Sequence, residues 1–426
     1  MTIYIFEPEL CDKRGHFYEY NRSLLVEFQN RGMIARLYCH AKPATDIVET
    51  LKAIPTFSDV SWTKSIKIPS ISYFVVFAAV NISTFFGLIR KAYDKYSKSD
   101  VCLFTSPTMN NLFGVALWYL LLPRKHKPSL VILLRLPYYG RLTHAIPLTP
   151  KLYRIAFHFL NRIAGNRVHY LSDSSILAKE YGNMADRDVA VAPIPHIPEE
   201  KYGIKRSSPY DKACFVYLGI ARAEKGFFLL GEAIRVLERF GKVACYRIQT
   251  MDPTESPSVS EAKGLLSGLN GVELLPGNLQ TDSYYDVLSS ADCVLIPYDP
   301  CDYLGRTSGI FAEAVAFGKP VITTDRTWMA DHVRKLGCGV VMPEFRSDDL
   351  AAAMLDYLGN RTDFDRRAEE AARVWRKQNG ARQYVDFLMN LVGEETRSRP
   401  TDQGVVNTGH SDTGMGVSRD AGDRMP

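Results

Sequence analysis

The sequence has no closely spaced pair of cysteines. Its eight cysteines are scattered over 426 residues, and several lie inside apolar runs such as A-C-F-V-Y-L. This scatter gives neither the spacing of a zinc site nor the density of a disulfide framework, so it indicates reduced core cysteines. The first ten residues also lack a basic segment followed by an apolar run, and we therefore expect no secretory signal and a cytoplasmic protein.

Aspartate and glutamate are entirely absent from residues 101–172. The same residues contain nine Lys or Arg side chains, whereas the net charge of the whole chain is only +5. An acid-free cationic segment suggests contact with an anionic partner such as a membrane surface, a lipid phosphate or an acidic saccharide. A solvated basic face is the alternative interpretation. The first interpretation predicts peripheral association with the inner face of a membrane.

Two uncharged stretches, residues 68–89 and 101–123, are long enough on length alone to cross a bilayer. The first contains Pro69 and Asn81, and the second is interrupted by the polar turn T-S-P-T-M-N-N. Such interruptions favour buried or surface-resting helices over membrane spans.

Eleven short apolar runs, five in the first half of the chain and six in the second, predict strands, and they alternate with amphipathic segments. This alternation predicts an α/β fold with parallel sheets covered by helices, and 426 residues exceed what a single core usually holds. We predict two Rossmann-like domains in the following arrangement: a first domain at 1–200, a linker at 201–211, a second domain at 212–375, a helix at 376–393 and a disordered tail at 394–426.

The segment L-G-I-A-R-A-E-K-G-F-F-L-L, residues 218–230, begins at a strand end and passes through a polar turn into a helix. Open α/β sheets bind ligands beyond the carboxyl ends of their strands. Arg222 and Lys225 lie three residues apart, so both could face a diphosphate there, Arg with a planar fork and Lys as a point charge. Ordinary surface cations would be the alternative.

A second segment, residues 294–322, contains a strand, a loop and a helix start at Thr307, Ser308 and Gly309. A helix start of this composition offers backbone N–H groups and hydroxyls, which commonly hold phosphate. Glu313 follows on the same helix and could accept hydrogen bonds from the two adjacent hydroxyls of a ribose. A glutamate on the helix surface is the alternative.

These two segments together resemble the GT-B-fold glycosyltransferases, especially retaining family 4. In that family an R-x-E-K-G element supplies an Arg and a Lys to the donor diphosphate, and a later S-G-x-x-x-E-A…G-x-P-V element binds the ribose and phosphates. The resemblance covers about residues 213–345 and implies two facing Rossmann-like domains. It assigns Arg222 and Lys225 to catalysis, and it assigns donor binding to Gly15, His16, Gly277, Thr307, Ser308, Gly309 and Glu313.

The sequence departs from the family pattern in two places. The family pairs its motif glutamate with another one eight positions earlier, where this chain has Gly305. The family also often carries a His-Asp pair in its first domain, where this chain reads L-L-R-L-P-Y-Y-G-R-L-T-H. We predict that the acceptor side is formed instead by Arg135, Tyr138, Arg141 and His144.

The resemblance implies transfer of a sugar from a UDP- or GDP-sugar to a saccharide or lipid-pyrophosphate-linked acceptor, with retention, in bacterial polysaccharide biosynthesis. We expect neither a metal nor a cofactor, because no Asp-x-Asp pair follows a predicted strand and Arg222 with Lys225 can stabilise the leaving diphosphate. The alternatives are an epimerase or hydrolase of the same fold, a non-catalytic nucleotide-sugar-binding protein, and a nucleic-acid or membrane adaptor. Nucleic-acid binding would leave the donor-site residues without a role.

Overall fold

A computed structural model describes residues 1–13, 16–57, 96–138, 148–197, 212–252 and 256–397, together with residues 79, 83 and 87. Two parallel sheets, of seven and six strands, form the cores of two α/β domains. The predicted fold class is confirmed.

The first domain contains a seven-stranded sheet with the order β3-β2-β1-β4-β5-β6-β7. Its central strands are buried along their whole length, as expected for a parallel sheet covered on both faces. The strands are β1 (Thr2–Phe6), β2 (Ile34–His40), β3 (Ile54–Phe57), β4 (Val101–Phe104), β5 (Ser129–Leu133), β6 (Val168–Ser172) and β7 (Val189–Val191). The described helices are α1 (His16–Asn30), α2 (Thr45–Leu51), α3 (Met109–Leu121), α4 (Thr149–Ala164) and α5 (Ser175–Ala185).

The second domain repeats this order in a six-stranded sheet, β10-β9-β8-β11-β12-β13. The strands are β8 (Cys214–Tyr217), β9 (Cys245–Gln249), β10 (Val272–Leu275), β11 (Cys293–Ile296), β12 (Val321–Thr324) and β13 (Gly339–Met342). The helices are α6 (Leu229–Arg239), α7 (Pro257–Ser267), α8 (Thr281–Ser290), α9 (Pro300–Tyr303), α10 (Gly309–Ala316), α11 (Trp328–Leu336), α12 (Ser347–Gly359) and α13 (Arg361–Gln378). The strand order reverses direction between β8 and β11, which is where such sheets bind ligands.

The last helix, α14 (Ala381–Arg397), packs on the first domain although it follows the second in sequence. Its residues Tyr384, Val385 and Leu388 are fully buried in the core that contains strand β1. The predicted helix at 376–393 is therefore corrected to the end of α13 and most of α14. Gly380 separates them because its φ of +122° does not continue a helix.

All eleven strands predicted from the sequence are present, whereas β3 and β7 were not predicted. Both additional strands are short, lie at the two edges of the first sheet and are partly exposed, so neither carries a clear hydrophobic pattern. The predicted linker at 201–211 falls wholly outside the described residues, as does the tail beyond 397, whereas 394–397 continue α14.

The two apolar stretches that raised the question of membrane spans have different outcomes. The first falls outside the described residues, except for 79, 83 and 87. The second forms strand β4 and helix α3, whose Leu112, Val115 and Trp118 are buried in the first-domain core. Within the described ranges, no helix is long and apolar enough to cross a membrane.

Candidate active site

A cavity of about 320 Å³ lies at the carboxyl ends of the strands of the second sheet. Its walls are the loops after β8, β9, β10 and β11 and the first turns of helices α8 and α10. Three of the described lining residues, Lys13, Phe17 and Glu19, come from the first domain. The cavity therefore opens between the domains at the expected switch point.

Two glycines in the loop after β8 allow this loop to pack closely against the residues that follow β11. Gly219 has a φ of +96°, and a Cβ there would lie 2.7 Å from Ile310 Cδ1. At Gly226, with a φ of +69°, a Cβ would lie 2.2 Å from the carbonyl oxygen of Pro297. A larger residue at Gly226 would push the two loops apart, whereas one at Gly219 would displace the end of the Ile310 side chain of helix α10.

Arg222 and Lys225 both line the cavity, but neither lies in a long helix. Lys225 ends a short 3₁₀ turn, Ala223–Lys225, and helix α6 begins four residues later. The nearest acidic contact of Arg222 is Glu224, at 3.6 Å between Nη1 and Oε1.

Three cations converge on this wall. Burial, and then the charges of Arg222 and Arg306, lower the pKa of Lys225 to about 7. The ammonium of Lys225 lies 5.3 Å from the ring centre of Tyr298, and the guanidinium of Arg306 lies 4.9 Å from that of Tyr303. Aromatic faces thus hold two of the cations. Because their mutual repulsion would be relieved by an anion, the arrangement is suited to binding one.

Helix α10 begins at the edge of the same cavity. Ser308 caps it, with its Oγ accepting a hydrogen bond of 3.3 Å from the backbone N–H of Phe311. Thr307, Ser308 and Gly309 all line the cavity. The first N–H groups and the positive end of the helix dipole add to the anion-binding character of the wall.

Glu313 is buried, with 7% of its surface exposed, so it is not a surface residue of α10. Its carboxylate accepts hydrogen bonds from the hydroxyls of Tyr284 and Tyr285. Burial raises the pKa of Glu313 to about 8, although both tyrosines oppose this shift. The carboxylate also lines the cavity, where it can accept hydrogen bonds from ligand hydroxyls.

Gln249, which the sequence analysis missed, links two loops of the site. Its Oε1 accepts a hydrogen bond of 2.7 Å from the N–H of Gly219, and its Nε2 donates one of 3.0 Å to the carbonyl of Gly277. Gly277 itself does not line the cavity, but Asn278 and Leu279 do. A polar residue ending a buried strand beside the switch point was the available signal for Gln249. The consecutive tyrosines Tyr284 and Tyr285, which also line the cavity, were an equally visible signal in the sequence.

Residues 212–360 match the family model described as Glycosyl transferases group 1. This part of the chain is therefore similar to the group 1 glycosyltransferases. The match supports the prediction that the chain is a glycosyltransferase. A comparison with curated protein sequences gives no significant match.

Solved structures of GT-B glycosyltransferases have the same two-domain fold. A glycosyltransferase from Rickettsia africae matches with a TM-score of 0.67 at 12% identity, covering 93% of this chain and 99% of the other. HepE of Anabaena, in complex with UDP-glucose, matches with a TM-score of 0.62 at 14% identity, covering 94% and 100%. A putative UDP-N-acetylglucosamine 2-epimerase from Listeria monocytogenes matches with 0.59 at 12%, covering 95% and 99%. At these identities the likeness establishes the fold alone.

Arg135 and Tyr138, the two described residues among those predicted for the acceptor side, do not line the cavity. Arg135 is buried and forms an ion pair with Asp173, at 2.9 Å between Nε and Oδ2. Tyr138 packs on the first-domain core, with its ring centre 6.3 Å from that of Tyr181. For Arg135 this position argues against direct contact with an acceptor, because its charge is already paired.

Other predicted residues cannot be placed in the site. Gly15, Arg141 and His144 lie outside the described residues, and of His16 only the backbone, at the start of α1, is described. Their predicted roles remain predictions.

Gly305, which stands where the family has its first motif glutamate, lies against the first domain. A Cβ there would lie 3.0 Å from Leu177 Cδ2 and 3.3 Å from Ile176 Cγ2, at the start of α5. A glutamate side chain would therefore begin in tight contact with the first domain, and Leu177 and Ile176 would have to shift slightly to admit it.

Proposed function

We propose that the chain transfers a sugar from a UDP- or GDP-sugar to a saccharide or lipid-linked saccharide acceptor, in bacterial polysaccharide biosynthesis. The observation that carries the proposal is the convergence of Arg222, Lys225 and Arg306 with the start of helix α10 on one cavity of the second domain. The binding of UDP-glucose by the structurally similar HepE agrees with this donor class.

In the proposed reaction, the bond between the anomeric carbon and the diphosphate oxygen breaks. The acceptor hydroxyl oxygen bonds to that carbon, and its proton is released. Arg222 and Lys225 stabilise the charge that grows on the departing diphosphate, which makes a metal unnecessary in this proposal. Glu313 holds the ribose, and the residues at the start of α10 hold the phosphates. Retention of configuration rests on the resemblance to family 4.

A screen of nucleotides and nucleotide sugars tests the donor. UDP or GDP should raise the melting temperature of the purified chain, because a ligand that binds only the native state stabilises it. UMP or GMP should raise it less, since it lacks the second phosphate. A chain that no nucleoside diphosphate stabilises would contradict the proposal.

Gly305 and the Listeria neighbour favour a second candidate, an epimerase or hydrolase of the same fold. The two activities differ in their products. Incubation of the chain with the donor alone should leave the donor intact if the chain is a transferase. Free sugar or an epimerised donor would favour the second candidate.

We also infer that the first domain binds an anionic membrane surface through helix α4, which would bring a lipid-linked acceptor to the cavity. Ile155 and Phe159 on this helix are 46% and 51% exposed. Exposed cations flank them at Lys151, Arg154 and Arg162, within the acid-free segment. Exposed apolar side chains flanked by cations are typical of helices that lie in a membrane interface.

Vesicle sedimentation tests this inference. The chain should sediment with phosphatidylserine-containing vesicles at low salt and less with neutral vesicles or at high salt. Changing Ile155 and Phe159 to Ser should release it, whereas Phe240→Ser, which alters an exposed aromatic side chain of the second domain, should not. Equal recovery in the supernatant under all conditions would contradict membrane binding.

A further inference from the structure

The turn before helix α10 connects the two domains beside the cavity. Thr307 lines the cavity, and its hydroxyl donates a hydrogen bond of 2.9 Å to Asp173 Oδ2, just after strand β6 of the first domain. Two residues earlier, Gly305 packs on Leu177 and Ile176 of that domain. The turn is therefore held by both a polar and a packing contact across the interface.

Asp173 is fixed from its other side by Arg135. The Nε atom of Arg135 donates to the oxygen that accepts from Thr307, at 2.9 Å, and the ring of Tyr20 covers the guanidinium at 4.4 Å. The side chains of Arg135 and Asp173 are only 6% and 3% exposed. Thr307, Asp173 and Arg135 thus form one chain of contacts that crosses the domain interface.

This ion pair, which lies wholly within the first domain, is a costly way of holding Asp173 in place. Desolvating both charges offsets most of their attraction, and apolar packing often stabilises as well or better. In addition, Arg135 Nη1 and Asp173 Oδ1 are buried with no hydrogen-bond partner among the described residues. The ion pair therefore contributes little net stability for the two charges that it buries. Its geometry has another use, because Arg135 holds the same Asp173 oxygen that accepts the hydrogen bond from Thr307.

The chain passes between the domains near residues 194 and 380, and these two crossings are tied together. The N–H of Ile194 donates to Asn379 Oδ1 at 2.9 Å, and the N–H of Gly380 donates to the carbonyl of Ile194 at 2.8 Å. Rotation of the domains about these crossings would make or break the bond between Thr307 and Asp173 without unfolding either sheet.

We propose that Asp173 is a positioning residue that fixes Thr307, and with it the start of helix α10, in the donor-binding geometry only when the domains are closed. Arg135 keeps the accepting oxygen in place. The proposal rests on the proposed function for the identity of the ligand, but the contact itself is independent of any ligand.

Small-angle X-ray scattering of the ligand-free chain tests the contact. Thr307→Val removes the interdomain hydrogen bond while leaving the ion pair intact, and it should increase the radius of gyration. Thr307→Ser keeps the hydroxyl and should match the wild type. Asp173→Ala should expand the molecule like Thr307→Val, and Asp188→Ala, an exposed aspartate of the same domain, should not. If Asp173→Ala fails to fold, the Val and Ser variants of Thr307 decide the question.

Titration with UDP, or with GDP where UDP does not bind, tests the coupling. Thr307→Val and Asp173→Ala should each weaken binding about tenfold, as expected when a hydrogen bond to a charged group is lost. The double variant should be no weaker than either single one, because both remove the same bond.

Four outcomes would overturn the positioning role: unchanged scattering and affinity in Thr307→Val, weaker binding without expansion, expansion without weaker binding, or additive losses in the double variant. A wild-type chain that binds no nucleoside diphosphate would instead contradict the proposed function. The ligand-free scattering would still decide whether the contact holds the domains together.

Discussion

The two sheets have the same order over six strands, but their carboxyl ends differ in how charges are paired. In the first domain Arg135 is paired with Asp173, and Glu7 accepts a hydrogen bond of 2.7 Å from Thr105. In the second domain three cations lie at one wall of the cavity. The nearest acidic contact of Arg222 there is with Glu224, at 3.6 Å. The shared topology provides the switch point, whereas cations that are not fully paired make only one edge suited to binding an anion.

The glycines of the second domain are the other part of the difference. Gly226 lets the loop after β8 approach the backbone of Pro297 within a distance that any Cβ would prevent, and Gly219 leaves room for the side chain of Ile310. This close approach places Lys225 beside Tyr298 at the cavity wall. We therefore expect that removing a charged side chain at the carboxyl end of the first sheet will lower stability. Removing one at the carboxyl end of the second sheet should instead lower catalytic activity.

The largest expected effect is at the first edge. Arg135→Ala should lower the free energy of unfolding by about 3–5 kcal/mol, because it leaves the Asp173 carboxylate buried and unpaired. Chemical denaturation measures this. Arg235→Ala, which breaks an exposed ion pair with Glu232, should change it by less than about 1 kcal/mol. Equal changes in the free energy of unfolding for the two variants would contradict the importance of the buried ion pair for stability.

At the second edge, Arg222→Ala should cost about 2–4 kcal/mol of transition-state stabilisation, a loss of roughly 30- to 1000-fold in kcat/KM. Its melting temperature should stay within about 2 °C of the wild type, since Arg222 is partly exposed and only loosely paired. Steady-state assays with the donor found in the nucleotide screen measure the change. Activity within a few-fold of wild type would remove Arg222 from the catalytic assignment.

The lowered pKa of Lys225 predicts a pH-dependent donor affinity. A bound diphosphate favours the ammonium and raises this pKa above its value of about 7 in the free chain. Affinity should therefore be fully present below pH 7 and fall by up to about tenfold per pH unit above it. Calorimetry with a UDP-sugar, which does not titrate near pH 7, measures the slope. Lys225→Arg should flatten it, and an equal slope in both would assign the titration elsewhere.

Above pH 8, where Glu313 is ionised, Glu313→Gln should weaken UDP binding about tenfold, or about 1.4 kcal/mol, because an amide accepts hydrogen bonds from ribose hydroxyls less strongly than a carboxylate. The exposed Glu232→Gln serves as a control. Loss of turnover with unchanged UDP affinity would assign Glu313 to the sugar or to catalysis instead of the ribose.

The smallest effect should follow truncation after Arg397. Removal of residues 398–426 should leave the melting temperature and UDP affinity unchanged within error, because this glycine-rich polar segment has no apolar pattern that could build a core. A drop of several degrees would show that the segment contributes to the fold.

Much of the fold and of the second-domain site could be predicted from the sequence. Strands such as V-C-L-F-T and C-V-L-I-P-Y are continuous apolar runs, which is the pattern of parallel strands buried on both faces. Arg222, Lys225, Ser308 and Glu313 occur at strand ends and helix starts, so local sequence located them. Short edge strands and the break at Gly380 were missed or misplaced, because edge strands lack a strong pattern and α14 gets its place from contacts with helix α1, which is distant in sequence.

The sequence by itself determined the alternation of strands and helices and the positions of the donor-side residues within it, because each depends on neighbours within a few residues. Only the tertiary structure decided what the first-domain cations do. Arg135 reads as an acceptor-binding residue in the sequence, but it is paired with Asp173, 38 residues away, which in turn contacts Thr307 at a separation of 134 residues. Charge pairing and burial depend on partners brought together by folding, so no local pattern reveals them.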